Sequence, residues 1–538
     1  MSLRDKNIRR LEETEFDVVV IGGGINGAVS AAALAAHGVN VGLIDSRDFA
    51  GFTSQHSSNL IWGGIKYMES YEFSLVWKLC QSRNELMRSF PSTVKEIRFL
   101  TTLPKSFRRH PLVLWFGCWL YWLFGRRFTQ HPKLLSARNI TSEEPFINTS
   151  KSWGGVEYSD AYLHDNDARF VFNFIRSALK NGCAAANYVK SLGATYTPKD
   201  KCWQIQARNQ ITGDEFAIRS KVLINATGAF VDEHNDLTHI RSNTNHQFSK
   251  GIHLIVPSIT KSNRVLAFFA DDGRLFFAIP MANRTCIGTT DNRVTSPLTE
   301  VTDEDRNFVL SNINARLNLE PALTTADIIS ERCGVRPLAV SGQDDSDTDF
   351  LQLSRKHVIE IDVQHSHLSI FGGKLTDCLN VGKEICDHIS RLGITVSPPG
   401  RKWYGEPDDD IKRKFEDKAK QLGMDSMCAE DTGESLSTRL WRRYGEDALG
   451  ILELIVEDKS LCEPLIPGTG IRRCEIDYIK KSEMIVELED FLRRRSKLGL
   501  IMRPEALKES EDLKEVCTIL FGEDAPQRYE KYFSNLSV

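Results

Sequence analysis

The sequence predicts an α/β fold in three parts: a parallel-sheet unit at the start, an antiparallel-sheet domain inserted into it, and a C-terminal all-helical domain. Three observations predict it. Residues 16–45, FDVVVIGGGINGAVSAAALAAHGVNVGLID, run as strand, glycine-rich turn, helix and strand, the order of a βαβ unit. Residues 246–350 hold short apolar runs such as HLIVP, VLAFFA and LFFAIP, which read as antiparallel strands. Beyond residue 392 a Pro-, Gly- and charge-rich stretch, SPPGRKWYGEPDDD, gives way to segments with apolar residues at helical spacing.

In the first unit, residues 17–21 are a nearly unbroken β-branched run that stops at Gly22, as a buried parallel strand does. Gly22, Gly24 and Gly27 are spaced G-x-G-x-x-G, and the Ala-rich segment behind them, 28–37, favours helix until Gly38. A turn without side chains lets a pyrophosphate reach backbone N–H groups at a helix N-terminus, where the dipole favours negative charge. Asp45 ends the second strand, 39–44, close to the ~20 residues after the first glycine at which an acid takes ribose hydroxyls. The unit is therefore Rossmann-like and its ligand has an ADP half. By itself it does not separate NAD from FAD.

Composition narrows the rest. The 538 residues suffice for several domains, and a net charge of −4 argues against nucleic acid as the main partner. Twelve cysteines are scattered with no C-x-x-C pair, which suits reduced packing residues better than disulfides or zinc. With no H-E-x-x-H either, no metal site is expected. The charged residues 1–17 lack an apolar core, so no secretory signal is expected before the first strand.

After Asp45, the small hydroxyl residues Thr53, Ser54, Ser57 and Ser58 precede Gly63, Gly64, Lys66 and Tyr67, a run that can lie against a flat ligand. An amphipathic helix follows to residue 87. Further along, a helix is expected over 168–179, strands over 188–194, 203–208 and 222–226, and a tight turn at Gly228. A strand over 356–371 leads to Gly372 and Gly373, then a helix over 376–390. Residues 474–496 read as one of the C-terminal helices. The boundaries predicted are 1–85, 150–245 and 350–395 for the nucleotide-binding domain, 86–149 and 246–349 for the substrate domain, and 396–538 for the helical domain.

GGGINGA and TSQHSSNLIWGGIKYMESYEF, followed by YSDAYLHDNDAR, LINATGAF, KGIHLIVP, IGTTD, SERCGVRPL and FGGKLT, resemble in order the blocks of FAD-dependent glycerol-3-phosphate dehydrogenases, of the glycine-oxidase-like flavoprotein superfamily. The chain departs from the family's SSKLIHGGLRY block at Asn59, Trp62 and Lys66, where lysine, histidine and arginine are common. The resemblance implies FAD as cofactor, held by Gly22, Gly24, Gly27, Asp45, Thr53, Ser54, Ser58, Gly63, Gly64, Gly228, Gly372, Gly373, Lys374, Leu375 and Thr376. It implies oxidation of sn-glycerol 3-phosphate to dihydroxyacetone phosphate, with electrons passed to a membrane quinone. A related flavoenzyme acting on another hydroxy acid or amine, an oxidase, and a non-catalytic flavin-binding protein are the alternatives.

Arg355, Lys374 and Tyr67 match the family's substrate-contacting positions, and a phosphate dianion needs cationic partners of this kind. Arg336 is placed at the hydroxyl end, where it would stabilise a developing alkoxide. His253 matches the family's histidine, and it is expected to be the base because imidazole titrates near neutrality. Expected partners are a phosphorylated polyol, a membrane quinone and an anionic lipid surface; a homodimer is left open. Residues 111–125, PLVLWFGCWLYWLFG, would reach only ~22 Å as a helix against a ~30 Å hydrocarbon core, so they are expected to lie in the membrane interface on its cytoplasmic face. Arg108, Arg109, Arg126 and Arg127 flank them to meet anionic headgroups.

Overall fold

A computed structural model describes residues 1–105, 110–270, 273–341, 356–400, 402–427 and 434–536. Two sheets organise the first four hundred residues. The first runs His357–Asp362, His367–Gly372, Glu215–Asn225, Glu15–Ile21, Val41–Ile44, Ala184–Ala186 in spatial order. Its central strands are parallel: Val18 to Ile21 face Val222 to Asn225 on one side and Val41 to Ile44 on the other. Both faces of Glu15–Ile21 are buried, as its β-branched sequence requires. The helices Ile25–Ala36, Asp167–Lys180 and Cys378–Arg391 share one apolar cluster with it. The chain turns to opposite sides of Glu15–Ile21 to place the next strands, so the strand's C-terminal end, at Gly22, is the topological switch point where ligands bind in open α/β sheets.

The second sheet has ten strands built round the long Thr244–Pro257, which pairs along its length with Ser330–Ser341. It is antiparallel except where Arg264–Phe269 meets Val94–Pro104 in parallel. Ser152–Leu163, which the sequence boundaries assign to the nucleotide-binding unit, is an inner strand of this second sheet, paired with Val94–Pro104. Its side chains are buried from Gly154 onward, so its apolar content alone fits either sheet.

Three expectations change. Residues 356–371 form a hairpin of two strands, His357–Asp362 and His367–Gly372, rather than one strand. An unpredicted helix, Leu3–Glu13, opens the chain with a Ser2–Asp5 capping box. The segment 474–496 is not continuous: helix Arg473–Ser482 stops, and a π-helical turn, Asp490–Arg495, follows. The C-terminal domain otherwise packs helices such as Asp409–Gln421, Leu436–Tyr444, Ala448–Glu457 and Glu511–Phe521 round one core, with a short hairpin, Pro464–Ile466 and Ile471–Arg472.

That domain is docked by buried charge. Arg169 meets Glu483 at 2.5 Å, Arg176 meets Glu483 at 2.7 Å, and Arg442 meets Asp165 at 2.9 Å. Burial penalises the Asp165 carboxylate, but Arg442 and Arg443 outweigh it and hold its pKa far below the usual range. Removing one partner of such a pair strands a desolvated charge, at a cost of roughly 3–5 kcal/mol.

Helix Pro111–Phe124 lies on the second sheet with Cys118 and Tyr121 inward. Leu112, Val113, Phe116 and Leu123 are exposed, Phe116 at 69%. Phe124 packs 6.1 Å from Phe73, whose neighbours Tyr71 and Trp77 are also exposed, so the apolar surface continues across two helices. Among the described residues no helix is long and apolar enough to cross a membrane. Arg126 and Arg127 are exposed beside this face; Arg108 and Arg109 lie outside the described residues.

Candidate active site and cofactor cradle

The glycine turn has the close approaches a pyrophosphate cradle needs. Gly22 has φ +102°, and a Cβ there would meet Ala226 O at 2.5 Å. A Cβ at Gly27 would lie 1.8 Å from Gly22 O, so only glycine lets helix and strand come this close. Gly24 is the N-cap of Ile25–Ala36, and Ser54 Oγ accepts from the Ile25 N–H at 3.1 Å. Gly228, φ +64°, follows the neighbouring strand in the left-handed conformation its turn requires.

Asp45 sits at the end of its strand as predicted, and it also holds the turn itself. Its carboxylate accepts from Gly23 N at 2.6 Å and from Arg47 N at 2.8 Å. Burial, opposed by these two bonds, pushes its pKa up to about 6. Each carboxylate oxygen keeps lone-pair capacity for a ribose hydroxyl. Strand, turn, helix N-terminus and acid together fit the ADP half of FAD.

At the other end of the loop is a cavity of about 280 Å³. Thr53, Ser54 and Ser58 line it from one side, and Gly372, Gly373, Lys374, Leu375 and Thr376 from the other, just before helix Cys378–Arg391. Tyr67 and Arg336 complete it. Lys374 Nζ lies 3.8 Å from the centroid of the Tyr67 ring. Arg336 donates to Thr289 Oγ1 at 2.9 Å and sits over Gly251, where a Cβ would collide with the guanidinium at 2.4 Å. Gly63 and Gly64 do not line the cavity. Gly63 gives its N–H to Asp160 at 3.1 Å, and Gly64, φ +77°, turns the chain under the Tyr67 ring. Their contribution is to shape the loop that presents Tyr67.

His253 is brought to the site but differs from its sequence reading on two points. It is buried behind Ser58, with Nε2 2.8 Å from Ser58 Oγ, and it is Ser58 that faces the cavity. Burial, then Arg332 and Arg336, push its pKa well below the ordinary imidazole value. Gly288 makes room for the ring, since a Cβ there would meet it at 2.7 Å.

Sequence reasoning missed several residues. Lys356 lines the cavity; only its position next to Arg355 in the motif could have flagged it, and Arg355 itself lies outside the described residues. Arg332, cross-strand from His253, donates to Ser57 O at 2.6 Å and to Asn59 Oδ1 at 2.7 Å. Asn59, φ +57°, is thus a buried left-handed residue tied to an arginine, which explains a short amide at that departure. Trp62 lines the cavity beside Tyr67 and Phe277, whereas Lys66 does not line it. His357 contacts Asp377 at 2.8 Å and Glu384 at 2.9 Å; burial opposes its charge, but these two acceptors raise its pKa. The His357 ring therefore pins the hairpin to the start of Cys378–Arg391.

Comparison with known proteins agrees with this architecture. A family profile described as FAD dependent oxidoreductase matches residues 17–367, and one described as C-terminal domain of alpha-glycerophosphate oxidase matches residues 408–527. A glycerol-3-phosphate dehydrogenase of Pseudomonas aeruginosa is 31% identical over 507 residues, covering 91% of this chain and 93% of that one. An aerobic glycerol-3-phosphate dehydrogenase of Staphylococcus saprophyticus is 28% identical over 539 residues, covering 97% and 94%. The crystal structure of a glycerol-3-phosphate dehydrogenase from Bacillus halodurans, complexed with FAD, superposes with a TM-score of 0.74 at 22% identity over 100% of this chain and 97% of that one. That likeness speaks to fold.

Proposed function

The chain belongs to the glycerol-3-phosphate dehydrogenases of the FAD dependent oxidoreductase family, and from that premise we propose that it oxidises sn-glycerol 3-phosphate to dihydroxyacetone phosphate and delivers the electrons to a membrane quinone. The observation that carries the substrate class is the charge of the cavity wall. Arg336, Lys356 and Lys374 line it, and among the described residues no aspartate or glutamate does. A phosphate dianion entering such a wall gains charge-assisted hydrogen bonds that a neutral polyol cannot make.

Bound FAD supplies the hydride acceptor. The protein's own groups bind and orient the substrate and move the hydroxyl proton. Lys374, Lys356 and Tyr67 hold the phosphate end. Arg336, already fixed by Thr289, presents its guanidinium to the hydroxyl end; it cannot give up its proton near neutrality, so it stabilises negative charge rather than acting as base. The proton acceptor is Ser58 backed by His253: as Ser58 Oγ receives the substrate proton, its own proton passes to His253 Nε2. A neutral imidazole is what an acceptor must be, and the arriving phosphate opposes the arginines that depress its basicity.

The quinone reading rests on the apolar face of Pro111–Phe124 with Tyr71, Phe73 and Trp77, flanked by Arg126 and Arg127. Such a surface suits an interface-bound protein on the cytoplasmic leaflet. Oxygen is the second reading, favoured by the match of residues 408–527 to an alpha-glycerophosphate oxidase domain. One experiment tests both. Anaerobic mixing with sn-glycerol 3-phosphate, but not with glycerol, is expected to bleach the flavin, and a short-chain quinone is expected to restore its colour faster than oxygen does. No bleaching removes the substrate assignment; stoichiometric peroxide with a sluggish quinone step replaces quinone by oxygen.

A further inference from the structure

The loop 45–55 touches both halves of the cofactor cradle. Asp45 holds Gly23 N, Ala50 N donates to Gly23 O at 3.0 Å, and the Phe49 ring fills the space a Cβ on Gly23 would need. Ser54 caps the Ile25–Ala36 helix, and Thr53 and Ser54 line the flavin-end cavity. Phe49 and Ala50 anchor this loop in the core and Phe52 packs 4.8 Å from Phe230; what remains to be imposed is the conformation of its buried polar residues, Asp48 and Gln55.

What imposes it comes from the far end of the chain. In the π-helical turn Asp490–Arg495, Arg495 grips the fully buried Asp48 with both terminal nitrogens at 2.8 Å, and Arg494 Nε reaches the same carboxylate at 2.7 Å. Arg494 Nη1 also donates to Gln55 Oε1 at 3.1 Å. One pair of arginines therefore spans the loop from Asp48, three residues after the ribose acid, to Gln55, the residue next to Ser54. Asn187 adds a bond to Asp48 at 2.8 Å, and Asp490 holds Arg494 in place at 2.6 Å. A π-turn places the two consecutive arginines on the same buried target, and such turns recur at functional positions.

We propose that the C-terminal helical domain is a working part of the FAD site: Arg494 and Arg495 are positioning residues that hold loop 45–55 in its cofactor-binding conformation, so that FAD retention depends on this domain. It rests on FAD as the cofactor and not on the identity of the substrate. The test uses the full chain, with FAD removed and titrated back by flavin-fluorescence quenching, and with the thermal midpoint of the apoprotein measured in parallel. Coupling through one positioning contact typically shifts affinity by roughly 2- to 30-fold. Arg494→Gln is expected to raise the FAD dissociation constant toward the upper end of that range, Arg494→Lys to recover part of it through Asp48, and the mild Gln55→Ala to fall lower. Arg439→Gln breaks the buried pair with Glu475 inside the same domain, away from the loop. It is expected to lower the thermal midpoint and leave FAD affinity unchanged. An unchanged FAD affinity in Gln55→Ala and Arg494→Gln overturns the proposal, as does an equal loss in Arg439→Gln. If Arg494→Gln does not fold, Gln55→Ala against Arg439→Gln decides.

Discussion

Replacing Lys374 by methionine isolates one charge at the substrate site. The ammonium lies 3.8 Å from the Tyr67 ring centroid, and methionine keeps most of the stem that packs there while removing the cation. A charge-assisted bond to phosphate contributes ~1.5–3 kcal/mol, so the dissociation constant for sn-glycerol 3-phosphate is expected to rise ~10- to 150-fold. The lost cation–π contact, ~0.5–2 kcal/mol, is present with and without substrate and so lowers thermal stability rather than affinity. Because the phosphate is remote from the reacting carbon, the limiting rate of flavin reduction should change much less than the dissociation constant, the mark of uniform binding. Anaerobic stopped-flow gives both numbers from the substrate dependence of bleaching. Glycerol, which lacks the phosphate, serves as control and is expected to bleach neither Lys374→Met nor the parent. An unchanged dissociation constant for the phosphorylated substrate would refute the placement of the phosphate at Lys374.

Ser58→Ala and His253→Ala should each slow flavin reduction by ~100- to 10,000-fold, and the double variant should be no slower than the worse single one; additive losses would separate the two residues. Asp45 titrates in the folded state at about 6, above its ordinary value. The folded apoprotein therefore binds that proton more tightly than the unfolded chain, so Asp45's contribution to stability improves as pH falls through about 6. FAD affinity should move the other way, weakening over the same window as the carboxylate acceptor is neutralised. A pH-independent FAD dissociation constant between pH values either side of about 6 would show that Asp45 does not take the ribose. For the membrane face, the tryptophans are poor probes, since Trp122 gives its N–H to Thr129 O at 2.7 Å and Trp119 stacks on His131. Changing Leu112, Val113 and Phe116 to serine is expected to abolish flotation with anionic liposomes without loss of folding, and a triple variant that still floats would rule this face out.

The glycine turn, its helix and the acid after the second strand were legible in sequence because each is specified locally. Gly22 and Gly27 are required by backbone φ and by a 1.8 Å approach that any side chain would block, and the strands announce themselves by β-branched runs. Lys374, Tyr67 and Arg336 were legible through motif order, and the cavity brings all three together. The tertiary structure alone decided the rest. That Ser152–Leu163 joins the second sheet depends on which partner strand it meets, not on its own apolar content. Residue type suggested a histidine near neutrality on the cavity wall; enclosure in a sheet beside Arg332 and Arg336 lowers its pKa and sets it behind Ser58. Arg332, Lys356 and the Arg494–Asp48 contact join residues far apart in the chain. A charged side chain in sequence reads by default as solvated, and it becomes a buried, directional partner only when packing removes the water that would otherwise satisfy it.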